Sequence, residues 1–379
     1  MKNQFFAAAL IGLTAAFGAH TANAQEPQRF ETEAHAIEVT TFASGLESPW
    51  GLAFLPDGAM LVTERPGRVR LVSPDGTLSE PLEGAPQTES FGQGGMLDIA
   101  LDPDFADNSR VFITYAHVEG DVAGTAVWRA TLQRDGTPRL VDGTQIFRMN
   151  KLSGRAQHFG SRIVFAPDKT LWFTIGDRGQ GERAQDATDH AGSVLRIDRD
   201  GNAPADNPFI GTPADDLIWS IGHRNPQGAA FNPWREELWT VAHGARGGDE
   251  INIPKAGLNY GWPVISYGRH YSGGKIGEGT EKPGMEQPIY YWDPSIAPSG
   301  MEFYTGDAFP QWQGNVFVGA LKFQLLVRLT LDGDKIVSEE RMLEDLGERI
   351  RAVKQGPDGH LYLLTDDPDG RVLKVSPAS

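Results

Sequence analysis

The chain has 379 residues, with 34 Lys+Arg against 50 Asp+Glu for a formal net charge of −16, and no cysteine. That acidity argues against nucleic acid or anionic lipid as a main partner, since both demand a basic face. The missing cysteine excludes disulfides and thiolate metal sites.

The first residues read as an export signal rather than as structure. Lys2 supplies a positive start, Phe5 to Phe17 is an apolar run too short for a bilayer, and Ala22-Asn23-Ala24 is an A-x-A cleavage site. Residues 1–24 are expected to be removed, and losing Lys2 leaves the mature chain one unit more acidic. Export without cysteine is compatible with a bacterial periplasm, where a large core replaces disulfides. No later segment is apolar over a spanning length, so no membrane span is expected. Residues 25–379 are read as one domain.

The mature chain repeats one phrase: an alternating strand, a Pro-Asp-Gly-like turn, then strands rich in β-branched and aromatic residues. The first unit runs from Trp50-Gly51-Leu52-Ala53-Phe54-Leu55-Pro56-Asp57-Gly58 through Met60-Leu61-Val62-Thr63 to Arg68-Val69-Arg70-Leu71-Val72. Similar starts occur at Met96 to Pro103, Ile163 to Asp168 and Gln227 to Pro233, loosely at Gly300-Met301-Glu302-Phe303, and at Ile350 to Gly359. Period-two alternation bounded by Gly, Pro and Asp reads as strand and hairpin. Six units of about 45 to 75 residues predict an all-β, six-bladed β-propeller with about four antiparallel strands per blade. A β-sandwich is the alternative that six repeats disfavour. The longer spacings, Gly176 to Asn207 and Asn252 to Pro288, read as loops on the functional face.

Two polar strings precede such strands: Gln157-His158-Phe159-Gly160-Ser161-Arg162 and Gly222-His223-Arg224-Asn225-Pro226-Gln227-Gly228. Strand starts of a closed radial fold meet at its mouth, so a base and several cations are expected in one pocket. His158 is the candidate general base, because imidazole titrates near neutral pH. Arg224 with Asn225, Lys322, and Arg349 with Arg351 are candidate anion-holding residues. Gathering cations costs repulsion unless an anion sits among them, and a ligand with several carboxylates satisfies the set. In His243-Gly244-Ala245-Arg246-Gly247-Gly248-Asp249-Glu250, glycine-rich backbone can turn carbonyls toward a hard cation such as Ca²⁺, with Asp249 and Glu250 bracing the loop. Asp198-Arg199-Asp200-Gly201-Asn202 lacks EF-hand spacing, and Gly92-Gln93-Gly94-Gly95 opens no helix and so is no dinucleotide fingerprint.

Taken together, Gly222-His223-Arg224-Asn225-Pro226-Gln227, Gly248-Asp249-Glu250-Ile251-Asn252 and Asn259-Tyr260-Gly261-Trp262-Pro263 resemble the soluble quinoprotein sugar dehydrogenases. These are the pyrroloquinoline quinone (PQQ)-dependent glucose and aldose sugar dehydrogenases. The likeness runs from about Gly45 to Val375. It implies a six-bladed propeller that oxidises the anomeric hydroxyl of aldoses to lactones while reducing bound PQQ. Position by position, it implies that His158 is the base and Arg224 a second catalytic group at the quinone oxygens. Gln93 and Gln157 then stand at the substrate. Arg224, Asn225, Ser295, Lys322, Arg349 and Arg351 stand at the cofactor, and the Gly244 and Ala245 carbonyls bind Ca²⁺.

Two departures from that family bear on specificity. Gln157 stands where glucose-oxidising members carry an acid, and Ala245 stands where proline is common. With a chain also shorter than the dimeric glucose enzymes, a broadly specific aldose dehydrogenase is expected, monomeric or weakly dimeric, passing electrons to an unidentified acceptor. A calcium-dependent propeller lactonase is the competing enzyme class, and a non-catalytic binding propeller the third reading. The first would need an acid-lined axis, and the second has no use for a histidine among cations.

Overall fold

The computed structural model describes residues 26–378; the export signal read over 1–24 lies outside the described residues. Six antiparallel sheets form a six-bladed propeller: one of three strands, four of four and one of five. The inner strands are Pro49–Phe54, Met96–Leu101, Ile163–Phe165, Pro226–Asn232, Pro298–Phe303 and Ile350–Gln355. The sixth blade closes the ring. Its Gly370–Pro377 strand pairs with Ala36–Leu46 from the other end of the chain, and Gln28–Glu31 adds a fifth strand outside.

A propeller has no single centre, and the apolar clusters follow the joints between blades. Leu61 and Val69 of the first blade pack with Ile99 and Val111 of the second. Phe112 and Val127 meet Leu171 and Phe173, and Trp239 and Val241 meet Met301 and Val318. The remaining joints follow the same rule, and the last is made by Ala352 and Tyr362 against Leu52 and Met60. Each blade is sandwiched, so its middle strands are apolar on both faces: Leu171–Ile175 is buried at every residue. Fully burying a side chain such as Leu or Phe is worth about 1.5–3 kcal/mol, so these joints carry the fold.

Near the mouth the inner strands bulge, with register shifts between Pro49 and Leu52, Met96 and Ile99, Pro226 and Gly228, and Pro298 and Met301. At this end of the first three blades a threonine of the adjacent strand takes up a backbone N–H of the inner segment. Thr63 Oγ1 accepts from Gly51 N–H, Thr114 Oγ1 from Asp98 N–H and Thr174 Oγ1 from Arg162 N–H. Each hydroxyl then donates to the next blade, at Leu97 O, Ser161 O and Pro226 O.

One loop reading is corrected. The spacing from Gly176 to Asn207 contains the strand Ser193–Ile197, because that segment supplies the third blade with its third strand. The spacing from Asn252 to Pro288 holds isolated bridges but no named strand. No helix among the described residues is long and apolar enough to cross a membrane.

Candidate active site

Because neighbouring strands are antiparallel, residues before an inner strand and residues after its neighbour share one end of the propeller. Gln93, His158, Arg224 with Asn225, and Ser295 precede the second to fifth inner strands, while Arg349 and Arg351 flank the start of the sixth. Asp177, Gly244 with Ala245, Lys322 and Asp366 follow the neighbouring strands of blades three to six. Every candidate residue therefore lies on the same face.

His158 is only 8% exposed and holds a left-handed backbone, φ +59°. Non-glycine residues rarely keep that conformation unless their surroundings enforce it. His158 N–H donates to Gln93 Oε1 at 2.9 Å, and a Cβ on Gly176 would lie 2.4 Å from the His158 carbonyl oxygen. Arg178 clamps the segment from outside: its guanidinium lies 3.4 Å over the Phe159 ring and donates to the carbonyls of Arg155 and Gln157.

The imidazole Nδ1 is 2.6 Å from Asp177 Oδ1. Asp177 Oδ2 accepts the Trp262 indole N–H at 2.7 Å, and Oδ1 accepts Gly179 N–H at 2.7 Å. Burial opposes the Asp177 charge, but the bond to His158, nearby Arg224 and the Gly179 amide outweigh it and hold the carboxyl below its ordinary range. An ionised carboxylate only accepts, so Nδ1 carries the proton and Nε2 keeps its lone pair. Burial lowers the imidazole pKa; the Asp177 bond pulls the other way, Arg224 adds to the lowering, and the net shift is downward. The ring is thus a neutral, oriented base at neutral pH.

Arg224 donates through Nη1 to His243 O at 3.2 Å and to Gly244 O, with its guanidinium 5.2 Å from the Trp262 ring. Its Nε is buried without a partner, and among the described residues it has no carboxylate partner. Asn225 is buried and accepts Gly160 N–H at Oδ1, 3.1 Å. The Gly244 loop is rigid: a Cβ on Gly244 would meet Gly247 O at 2.2 Å and Gly248 O at 2.4 Å. Asp249 braces it, accepting Gly244 N–H, Ser295 Oγ–H and the amides of Ile296 and Ala297 at 2.7–3.0 Å. The Ser295 hydroxyl is therefore committed to this brace. Glu250 instead accepts from the Asn252 side chain at 3.3 Å, and burial pushes its carboxyl up to about 7.

Arg349 and Arg351 share one carboxylate, Asp366, at 2.6 and 2.7 Å, so only one of their two positive charges is left for an outside anion. Lys322 is exposed, contacts the Phe323 ring at 4.7 Å, and has no carboxylate partner among the described residues. Arg162 is withdrawn altogether. It is buried, paired with Asp98 at 3.1 Å, bonded to the carbonyls of Gln227 and Arg351, and 4.1 Å from the Trp50 ring. His223 is likewise structural: it stacks on Tyr260 at 4.8 Å, contacts Ser220 Oγ, and burial pushes its pKa down to about 3.

Gln93 and Gln157 are both exposed at the mouth, Gln157 directly beside the base. Sequence reading missed Asp177, Trp262 as its partner, and Asp366. The pairing Ile163↔Phe173, continued past the strand ends, brings residue 177 beside residue 159, so hairpin register was the signal for Asp177. Two clefts of about 460 Å³ lie elsewhere, one in the outer part of the joint between blades three and four, the other at the opposite mouth.

The family model for Glucose / Sorbosone dehydrogenase matches residues 46–374. The chain belongs to that family. Aldose sugar dehydrogenase YliI of Escherichia coli (strain K12) is 44% identical over 383 residues, covering 99% of each sequence. The solved apo-form of the soluble aldose sugar dehydrogenase from Escherichia coli superposes with a TM-score of 0.88 at 45% identity, covering 90% of this chain and 100% of that one. The PQQ-bound aldose sugar dehydrogenase of Streptomyces coelicolor superposes with a TM-score of 0.76 at 30% identity, over 91% and 99%. Within the glucose/sorbosone dehydrogenase family, the His158–Asp177 pair and the surrounding cations are the chemistry this chain presents at its mouth.

Proposed function

We propose that this protein oxidises the anomeric C1 hydroxyl of aldose sugars to lactones, using bound PQQ held by Ca²⁺. The observation that carries the reading is the oriented, neutral His158 near Arg224, with Lys322 on the same face, two cations that lack carboxylate partners among the described residues. Those cations, with Asn225, fit a planar group bearing several carboxylates and quinone oxygens. The Gly244 loop fits a hard cation, since it is braced by Asp249 and offers backbone carbonyls. Lys322, Arg349 and Arg351 would hold the acid groups of PQQ, Arg224 and Asn225 its quinone oxygens, and the carbonyls of Gly244 and Ala245 the metal. Ser295 would act through Asp249.

PQQ, when bound, supplies the two-electron acceptor for the hydride that leaves C1. His158 Nε2 takes the hydroxyl proton, so the C–H pair departs as the carbonyl forms. Asp177 keeps Nδ1 protonated and stabilises the imidazolium that results. Arg224 places positive charge where negative charge develops. Gln93 holds the His158 backbone, and with Gln157 it lines the approach of the sugar.

Gln157 beside the base, in place of an acid, leaves one fewer charged acceptor for sugar hydroxyls, which supports broad sugar specificity. The same reading makes the protein a periplasmic monomer or weak dimer that passes electrons to an external acceptor. The test is reconstitution of the purified chain with PQQ and Ca²⁺, followed by dye reduction over an aldose panel. Activity should vanish on chelation and return with Ca²⁺ plus PQQ. Activity with NAD⁺ in place of PQQ would overturn the reading.

A further inference from the structure

Arg224 is held in an unusual way for an arginine beside a catalytic base. Its Nη1 donates to the carbonyls of His243 and Gly244, its Nε has no partner, and its plane is parked near the Trp262 ring. Trp262 is itself fixed, since its indole N–H is bonded to Asp177. The Arg224 backbone is fixed as well, its carbonyl accepting Asp177 N–H at 2.8 Å. Only the side chain is free to re-aim.

The carbonyls are not free to move. Gly244 N–H is tied to Asp249, and His243 N–H to Asn225 O at 3.0 Å. Side chains cannot be added to Gly244, Gly247 or Gly248 without backbone or Asp293 in the way. A carbonyl oxygen that holds a divalent cation cannot also keep a guanidinium on it, because the two positive centres would stand within a few ångströms in a partly dry site.

We infer that Arg224 is a displaceable stand-in for the metal. Its guanidinium and a divalent cation compete for the Gly244 carbonyl, and the displaced guanidinium becomes available to an anionic ligand. Metal and anion therefore load cooperatively, through the side chain that one evicts and the other recruits. This rests on the assignment of the Gly244 and Ala245 carbonyls to Ca²⁺ made above. Removing Arg224 therefore tightens metal binding in the absence of PQQ.

The experiment measures Ca²⁺ affinity by calorimetry, without PQQ and with it, in the wild type, Arg224→Met and Lys322→Met, at low and high NaCl. Both variants delete one positive charge from the mouth, but only Arg224 is bonded to the loop carbonyls. Arg224→Met should bind Ca²⁺ alone about tenfold tighter than the wild type at both salt concentrations, the scale of one charge-assisted hydrogen bond. Lys322→Met should gain about threefold or less at low salt and lose that gain at high salt, as screened Coulomb repulsion does. PQQ should raise Ca²⁺ affinity less in Arg224→Met than in the wild type. Equal affinities in Arg224→Met and Lys322→Met, with Ca²⁺ bound, would overturn the competition and leave the metal assignment standing. No Ca²⁺ uptake by any variant, with or without PQQ, would remove both. Arg224→Gln, which shortens the side chain and keeps it polar, carries the same comparison if far-UV circular dichroism shows Arg224→Met misfolded.

Discussion

Five residues before the turn prolines Pro56, Pro103, Pro167, Pro233 and Pro357 stand Gly51, Asp98, Arg162, Gly228 and Ala352; nine before Pro167 and Pro233 stand His158 and Arg224. The first set is an axis station. Arg162, from the third blade, touches Asp98 of the second, Gln227 of the fourth and Arg351 of the sixth, which only a central position allows. There is room for one ion pair, and the other stations are small: a Cβ on Gly51 would lie 2.6 Å from Asp98 Oδ1. The second set is a rim station. His158 is oriented by one acid, and Arg224 is left with carbonyls alone. Two arginines that start neighbouring strands thus have opposite fates. One has its charge answered and holds the ring together, and the other is left open to a ligand.

The sharpest way to break that contrast is to remove the rim base. His158→Ala should lower kcat by about two to four orders of magnitude while PQQ affinity stays nearly intact. Asp177→Asn should cost about a hundredfold or more with substrate KM little changed, because the ring tautomer is lost. Steady-state kinetics and PQQ titration separate the two effects, and normal turnover in His158→Ala would remove the base from the mechanism.

At the axis the expected loss is in stability. Arg162→Met leaves Asp98 buried and unpaired, and should cost about 3–5 kcal/mol in urea unfolding. A cost near zero would show that the pair does not lock the ring.

One residue before Arg224 lies His223, whose pKa burial pushes down to about 3. The unfolded chain protonates this ring from about pH 6.5 downward, whereas the folded one resists until near 3. Its contribution to stability is full above about pH 6.5 and is lost as pH falls toward 3. His223→Phe should flatten the acid side of the melting-temperature profile, and an unchanged profile would count against the buried neutral ring.

Lys322→Ala and Arg351→Ala should both weaken PQQ binding. Only Arg351→Ala should also lower the melting temperature, because Arg351 serves Asp366 and Gln227 at 2.7 and 2.8 Å. The smallest effect is expected at Gln157. The wild type should oxidise several aldoses, pentoses and disaccharides included, with kcat/KM values within about a hundredfold. Gln157→Asp should narrow that range toward glucose and move the pH–rate profile upward, since a carboxylate beside His158 favours its charged form. Oxidation of glucose alone by the wild type would contradict the open mouth.

The blades were legible in the sequence because each is local. A strand, its Pro-Asp-Gly turn and the next strand lie within about twenty residues, and solvent and core impose the pattern directly. The family motifs were legible as well, and the fold brings the candidate residues to one face. The partners were not. Asp366 is hidden in an ordinary post-strand Asp-Asp-Pro run, and nothing local says that it pairs with both Arg349 and Arg351. His223 sits in the most specific motif and is a core residue, while Asp177 outside the quoted motifs orients the base.

By itself, then, the sequence determined the number of blades, their turns and the segments gathered at the mouth, since these follow from hydrophobic period and turn chemistry. The tertiary structure alone decided which charged groups are answered and which are open. A guanidinium binds a ligand or a neighbour according to what stands within about 3 Å of it. Here that neighbour comes from strands 64 residues away, as for Arg162 and Asp98, or 189 away, as for Arg162 and the Arg351 carbonyl. Ring closure sets those distances, and no pattern along the chain encodes them.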